Sequence, residues 1–158
     1  MANKATKQGS KIYVCATAQN ENLDATAFAA LTWVQVGSVG RIGDFGADTK
    51  INSYMTLDET VVQKQKGTAD AGSPELEVAS LPDDAGQIIL RTFGAPLYTD
   101  NMAIKIERND GNPGETNTKF YSRGIVSGPV IKGGSGDDFE VEVFSINLNQ
   151  LPIRVDPV

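Results

Sequence analysis

The sequence predicts a mainly β fold, a sandwich or barrel-like sheet with a single α-helix packed against it. Three observations carry that reading. Short runs rich in β-branched and aromatic residues recur along the chain, bounded by glycine, proline and asparagine. Only the segment at about residues 82–93 repeats its apolar residues at a helical period. The length, 158 residues, suits one domain large enough to bury its own core.

In chain order, Met1–Ser10 is small and polar and reads as an N-terminal arm, residues 1–10. Lys11–Ala16 is the first strand. It holds Cys15, the sole cysteine, so the chain has no internal disulfide and the thiol reads as a buried, inert one. A polar loop with Asn20, Glu21, Asn22 and Asp24 leads to a second strand, Leu31–Val36. Glycines then fall at Gly37, Gly40, Gly43 and Gly46, too few for a collagen-like rod, and residues 37–50 read as a long, bendable loop. Ile51–Leu57 and Val61–Lys66 are the next strands, joined by a turn at Asp58–Thr60. The second has almost no apolar face, which suits a strand that lines water or docks on another subunit. Gly67–Pro74 is a turn-rich connector.

Leu76–Ser80 is an alternating strand that passes directly into the helix. Ser80 or Asp83 is placed to cap the free N–H groups, Pro82 suits a first turn, and Asp83 and Asp84 lie where the helix dipole favours negative charge. Ala85, Ile88, Ile89 and Phe93 share one face, so Ile88, Ile89 and Phe93 are expected to pack on the sheet while Asp84, Gln87 and Arg91 turn outward. Gly94 and Pro96 end the helix. Met102–Glu107 and Thr118–Val126 follow as strands around a hairpin at Asn109–Gly114. In Phe139–Leu148 the apolar residues change phase, which a bulge near Val143 would reconcile. The C-terminal arm, residues 150–158, is extended and too apolar for a free end. No repeat or linker marks a second domain, so 1–158 is read as one.

Lysine and arginine total 14 against 20 aspartates and glutamates, a net charge of −6. That balance argues against wrapping nucleic acid, whose phosphates need a basic surface, but not against a channel that DNA slides through. No apolar run of 18 residues and no charged-then-apolar leader is present, so neither a membrane span nor a signal peptide is expected, and the protein is expected to be made in the cytosol. Without histidine the commonest general base and metal ligand is missing, and one cysteine cannot build a usual zinc site. Asp110–Glu115 lacks the calcium-loop pattern, Asp44-Phe45-Gly46 lacks every companion motif of a kinase, and Gly133–Asp138 reads as a hairpin tip. Glu75 with Glu77, and Glu140 with Glu142, stand at alternate strand positions. Each pair has the makings of a glycosidase dyad, but a solvated strand face is the simpler account. No catalytic, cofactor-binding or metal-ligating residue is assigned, and an enzyme is not expected.

Several stretches together resemble the major tail tube protein of long-tailed, non-contractile bacteriophages, the lambda-like tail tube family. They are Ile12–Val14, Ala30–Gly37, Gly67–Gly72, Asp83–Gln87, Phe120–Pro129 and Phe139–Phe144, and their order and spacing cover nearly the whole chain. The resemblance implies a β-sandwich-like subunit with one flanking helix. Such subunits would assemble as stacked hexameric rings whose strands close into a continuous barrel around a DNA passage, in the virion tail. Implied partners are other copies of the chain, a tape measure protein, and tail terminator and tip proteins; DNA would pass the lumen without specific binding. Within that frame the lumen candidates are Glu75, Glu77, Glu140 and Glu142, whose charge would repel phosphates. The inter-ring contact candidates are Gly40, Gly43, Phe45, Leu151 and Ile153, from the glycine-spaced loop and the C-terminal arm. Two other readings stay open: the tube of a contractile tail or secretion system, and a monomeric β-sandwich that binds carbohydrate or protein. The last would want exposed aromatics, and the sole tryptophan, Trp33, lies in an apolar strand.

Overall fold

The computed structural model describes residues 6–158, so the first half of the expected N-terminal arm lies outside the described residues. The chain opens with β1 (Lys11–Val14), α1 (Ala25–Ala29), β2 (Val34–Gln35) and β3 (Val39–Ile42). It continues through β4 (Asp48–Tyr54), β5 (Gln63–Asp70), β6 (Glu75–Ala79) and α2 (Ala85–Gly94). It ends with β7 (Met102–Glu107), β8 (Lys119–Ile131), β9 (Val141–Leu148) and β10 (Ile153–Val155). The main sheet is antiparallel in the order β2-β1-β7-β8-β9-β6-β3, with β10 also paired to β8. β4 and β5 pair only with each other among the described residues.

Strand alternation decides which side chains meet. Ile12 and Val14 of β1 stand opposite Ile106 and Ile104 of β7, and Leu76 of β6 stands opposite Phe144 of β9. These residues, with Val78, Met102 and Ile146, form the inner face, and Leu90 and Phe93 of α2 pack onto it. Each fully buried side chain of this size contributes about 1.5–3 kcal/mol of transfer free energy. The opposite face of β1, β7 and β8 carries a smaller cluster of Cys15, Phe28, Ala103 and Tyr121, covered by α1. Phe28 stacks on Tyr121 with ring centroids 5.6 Å apart, and the Trp33 indole donates to the Phe28 carbonyl at 2.9 Å. The outer face of β6 and β9 has no such cover.

The two ends of the sheet, β2 and β3, are consecutive in the chain and joined by residues 36–38 alone. Four residue steps span at most about 14 Å, so the sheet is curled until its edges nearly meet, without closing into a barrel. The first turn of α2 straps this seam. Asp84 accepts from the N–H of Gly37 at 3.1 Å and from Gln87 at 3.0 Å, and the Gln87 amide donates to the carbonyls of Gly37 and Ala79, both at 2.9 Å. The helix also lies very close to the sheet at both ends. A Cβ on Gly86 would come within 2.5 Å of the Gln35 carbonyl, and one on Gly94 within 2.5 Å of the Gly128 carbonyl.

Several sequence expectations are corrected here. The cap of α2 is Asp84 rather than Ser80 or Asp83. The buried face of α2 is Gly86, Gln87, Leu90, Phe93 and Gly94; Ile88 is 47 % exposed and Ile89 only half-buried. The physical reason is Gln87: the seam offers it hydrogen-bond partners, and pointing it inward turns Ile88 away. Residues 37–50 are not one loop, because β3 pairs with β6 and β4 begins at Asp48. The extra residue lies not on β9 but on β8, where Ser127–Val130 opposes Val143–Ser145, while β9 runs in unbroken register along β6. The C-terminal arm, by contrast, docks as a segment too apolar for a free end should: β10 pairs with β8, and Thr116 exchanges two hydrogen bonds with Val158. α1 was not expected; Asp24 caps it through a 2.8 Å bond to Ala27 N–H.

Candidate assembly surface

The hairpin of β4 and β5 is an arm standing off the body. Its register runs from Asp48 opposite Asp70 to Tyr54 opposite Gln63, with one irregularity between Thr49 and Ile51. Every residue of β5 is exposed. The strands form because Thr49, Ile51 and Tyr54 favour extended backbone and the ladder satisfies their peptide groups. An isolated two-stranded hairpin is marginal in water, and this one has no core beneath it. Its tip, residues 55–62, nevertheless presents Met55, Leu57 and Val61 to solvent, with Leu57 at 108 % of its reference exposure. These apolar residues are grouped on an arm with no core beneath it, the kind of exposed patch that seeks cover.

At the base of the arm lies a groove of about 520 Å³, floored by Ile42, Phe45, Phe120, Leu151 and Pro152. Phe45 meets Phe120 edge-on at 5.3 Å, and the Arg108 guanidinium sits 4.7 Å from the Phe120 ring centroid. Lys7 and Arg108 line the groove, with Asp44 its one carboxylate. Three expected inter-ring positions, Gly43, Phe45 and Leu151, are therefore neighbours across more than 100 residues of sequence. Gly40 lines an adjoining cleft that also includes Lys7. Ile153 does not belong to this surface: it packs against the Phe28 and Tyr121 cluster, because β10 is a strand of the sheet.

The four lumen candidates do not share a face. Glu142 lies on the side of β9 that also carries Phe144 and Ile146, where Arg91 of α2 pairs with it at 3.0 Å. Its role is to hold helix to sheet. Glu140 precedes β9 and is exposed, its carbonyl accepting from Ser80 N–H. Glu75 and Glu77 do stand together on the uncovered outer face of β6, opposite Ser145 and Val143 of β9, and Arg41 of β3 stands opposite Glu77. Lys64 and Lys66 are on the arm, opposite Ser53 and Ile51.

Other titratable groups serve the fold. Asp110 accepts from the N–H and hydroxyl of Thr118 at 2.9 and 2.7 Å, and the backbone bond foremost lowers its pKa. Burial, then repulsion from Lys119, lowers the pKa of Lys105, whose ammonium lies 4.2 Å from the Tyr13 ring centroid. Among the described residues no group of three or more acidic or cysteine side chains is placed to hold a metal ion. No helix among them is long and apolar enough to cross a membrane.

No family model matches the sequence, and no curated protein matches it either. The fold, however, is found among solved structures. A chain in the cryo-EM structure of the anti-feeding prophage (AFP) baseplate, 6-fold symmetrised, superposes with a TM-score of 0.71 over 99 % of this chain and 98 % of that one. The two are 10 % identical in sequence, so what they share is the architecture.

Proposed function

We propose that the protein is a structural subunit of a phage tail or a tail-derived particle, polymerising as hexameric rings that stack into a tube through which DNA passes. The observation that carries this reading is the arm: a solvent-exposed two-stranded hairpin with an apolar tip has no reason to persist in a monomer and becomes stable when a neighbour covers it. The fold it shares with a chain of a six-fold symmetrised baseplate supports the same reading. In the ring, free edges of the curled sheet would become subunit seams, which removes their tendency to pair at random. Glu75 and Glu77 remain candidates for a lumen wall that repels phosphate; Glu142 does not, since Arg91 neutralises it. The reading implies no catalysis and no cofactor, location in the virion, and contacts with a tape measure protein and with the proteins that end the tube.

A second reading, a ring of the baseplate rather than of the tube, is favoured by the source of the structural neighbour. Negative-stain microscopy of the purified chain across concentration and salt tests both. Long hollow tubes are expected for a tube subunit and isolated rings for a baseplate subunit. A strictly monomeric species at every concentration would overturn the assembly reading as a whole.

A further inference from the structure

Resting on that reading, we propose that the arm tip of one copy, Met55–Val61, docks into the groove at the base of the arm of a second copy. The two surfaces match in chemistry. The tip combines Met55, Leu57 and Val61 with the carboxylates of Asp58 and Glu59; the groove combines Phe45, Phe120 and Leu151 with the cations of Lys7 and Arg108. The ion pairs among the described residues are Arg91–Glu142 and Arg154–Asp156, so neither Lys7 nor Arg108 closes an ion pair there, although Asp110 lies within the field of Arg108 and Asp44 lines the same groove. Glu59 receives one neutral hydrogen bond, from Gln63 at 2.7 Å, and keeps its charge for a partner.

The contact cannot form within one chain. The groove includes residues 42–47, which lead straight into β4, and the seven residues of β4 carry the tip about 23 Å away along a strand. The tip of each copy must therefore find another copy's groove. Tip and groove are different surfaces, so the contact is head-to-tail: it repeats from copy to copy and ends only by closing into a ring or by growing into a filament. Apolar area in the groove would supply the affinity, and the two cations facing two carboxylates would set the register and suppress wrong partners.

Charge exchange tests this in the full chain, with assembly read by sedimentation velocity and the subunit fold by circular dichroism. Asp58→Lys with Glu59→Lys, and separately Lys7→Glu with Arg108→Glu, are each expected to raise the concentration needed for assembly by about tenfold or more, and the four together to restore most of it. A second measurement covers the case in which an exchanged chain misfolds. Leu57→Cys with Leu151→Cys under oxidising conditions is expected to give ladders of covalent oligomers, and either cysteine alone no ladder beyond a dimer, since Cys15 is buried. Wild-type assembly with unchanged assembly in the tip variant and no ladder would overturn the docking while leaving the assembly reading intact. Assembly lost only in the groove variant would assign the groove to a different occupant and likewise overturn the proposal. A wild-type chain that never assembles would overturn both.

Discussion

Gln87 makes all four hydrogen bonds its amide can make while fully shielded from solvent. Its oxygen accepts from the Leu81 N–H at 2.9 Å and from Arg91 at 3.0 Å, and its nitrogen donates to Gly37 and Ala79. It therefore ties together the end of β6, the three-residue bridge between the sheet edges, and the helix. An apolar residue there would fill the space yet orphan the Leu81 N–H and two carbonyls, at about 1–3 kcal/mol for each buried group left unsatisfied. Gln87→Leu is expected to lower the urea midpoint sharply with an unchanged m-value, and the loss should exceed that of Ile88→Leu on the next position of the same helix. Equal midpoints for the two variants would show that the strap carries no load.

At the scale of elements, α2 gives the clearest contrast between pattern and structure. Leu90 is fully buried beneath the helix, whereas Ile88 is nearly half exposed. Leu90→Ala is expected to cost about 2–5 kcal/mol through lost burial and a cavity, and Ile88→Ala about 0.5 kcal/mol or less in the isolated subunit. Thermal unfolding of both variants checks this, and a reversed order would mean the helix is rotated. The helix itself was legible, within three residues at its start, because proline, aspartate and the apolar period all agree there. Its rotation was not: hydrophobic patterning counts Gln87 as polar and turns it outward, and nothing local reveals that Gly37 and Ala79 await it. The same limit hid α1, whose five residues are too short for a period, although Asp24 ahead of an alanine-rich run was a usable cap signal. It also hid β3, where Val39, Arg41 and Ile42 pair with β6 while Gly40 falls at the irregularity between Val39 and Arg41, a backbone ladder that no side-chain pattern reports. Among the candidate positions, Lys64 and Lys66 read as a strand without a core, whereas alternation alone does not say which side of β9 faces a helix, so the pairing of Glu142 with Arg91 was hidden.

For the molecule as a whole, stability is divided unevenly. Inner-face burial joins β1, β6, β7, β8, β9 and α2 into one cooperative body, and β10 is stitched onto β8. The arm shares none of that core, so its opening costs little beyond its own ladder. Hydrogen exchange on the unassembled chain is therefore expected to show amides of residues 49–54 and 63–69 exchanging orders of magnitude faster than those of β7 and β9, which open only with global unfolding. In assembled particles the same arm amides should become protected, while the protection of β7 and β9 changes little. The comparison separates two origins of the arm's shape. Arm protection already at the level of β7 in the monomer would mean that the hairpin is held by the subunit itself. Protection that appears only on assembly would mean that a neighbour completes an arm with no core of its own.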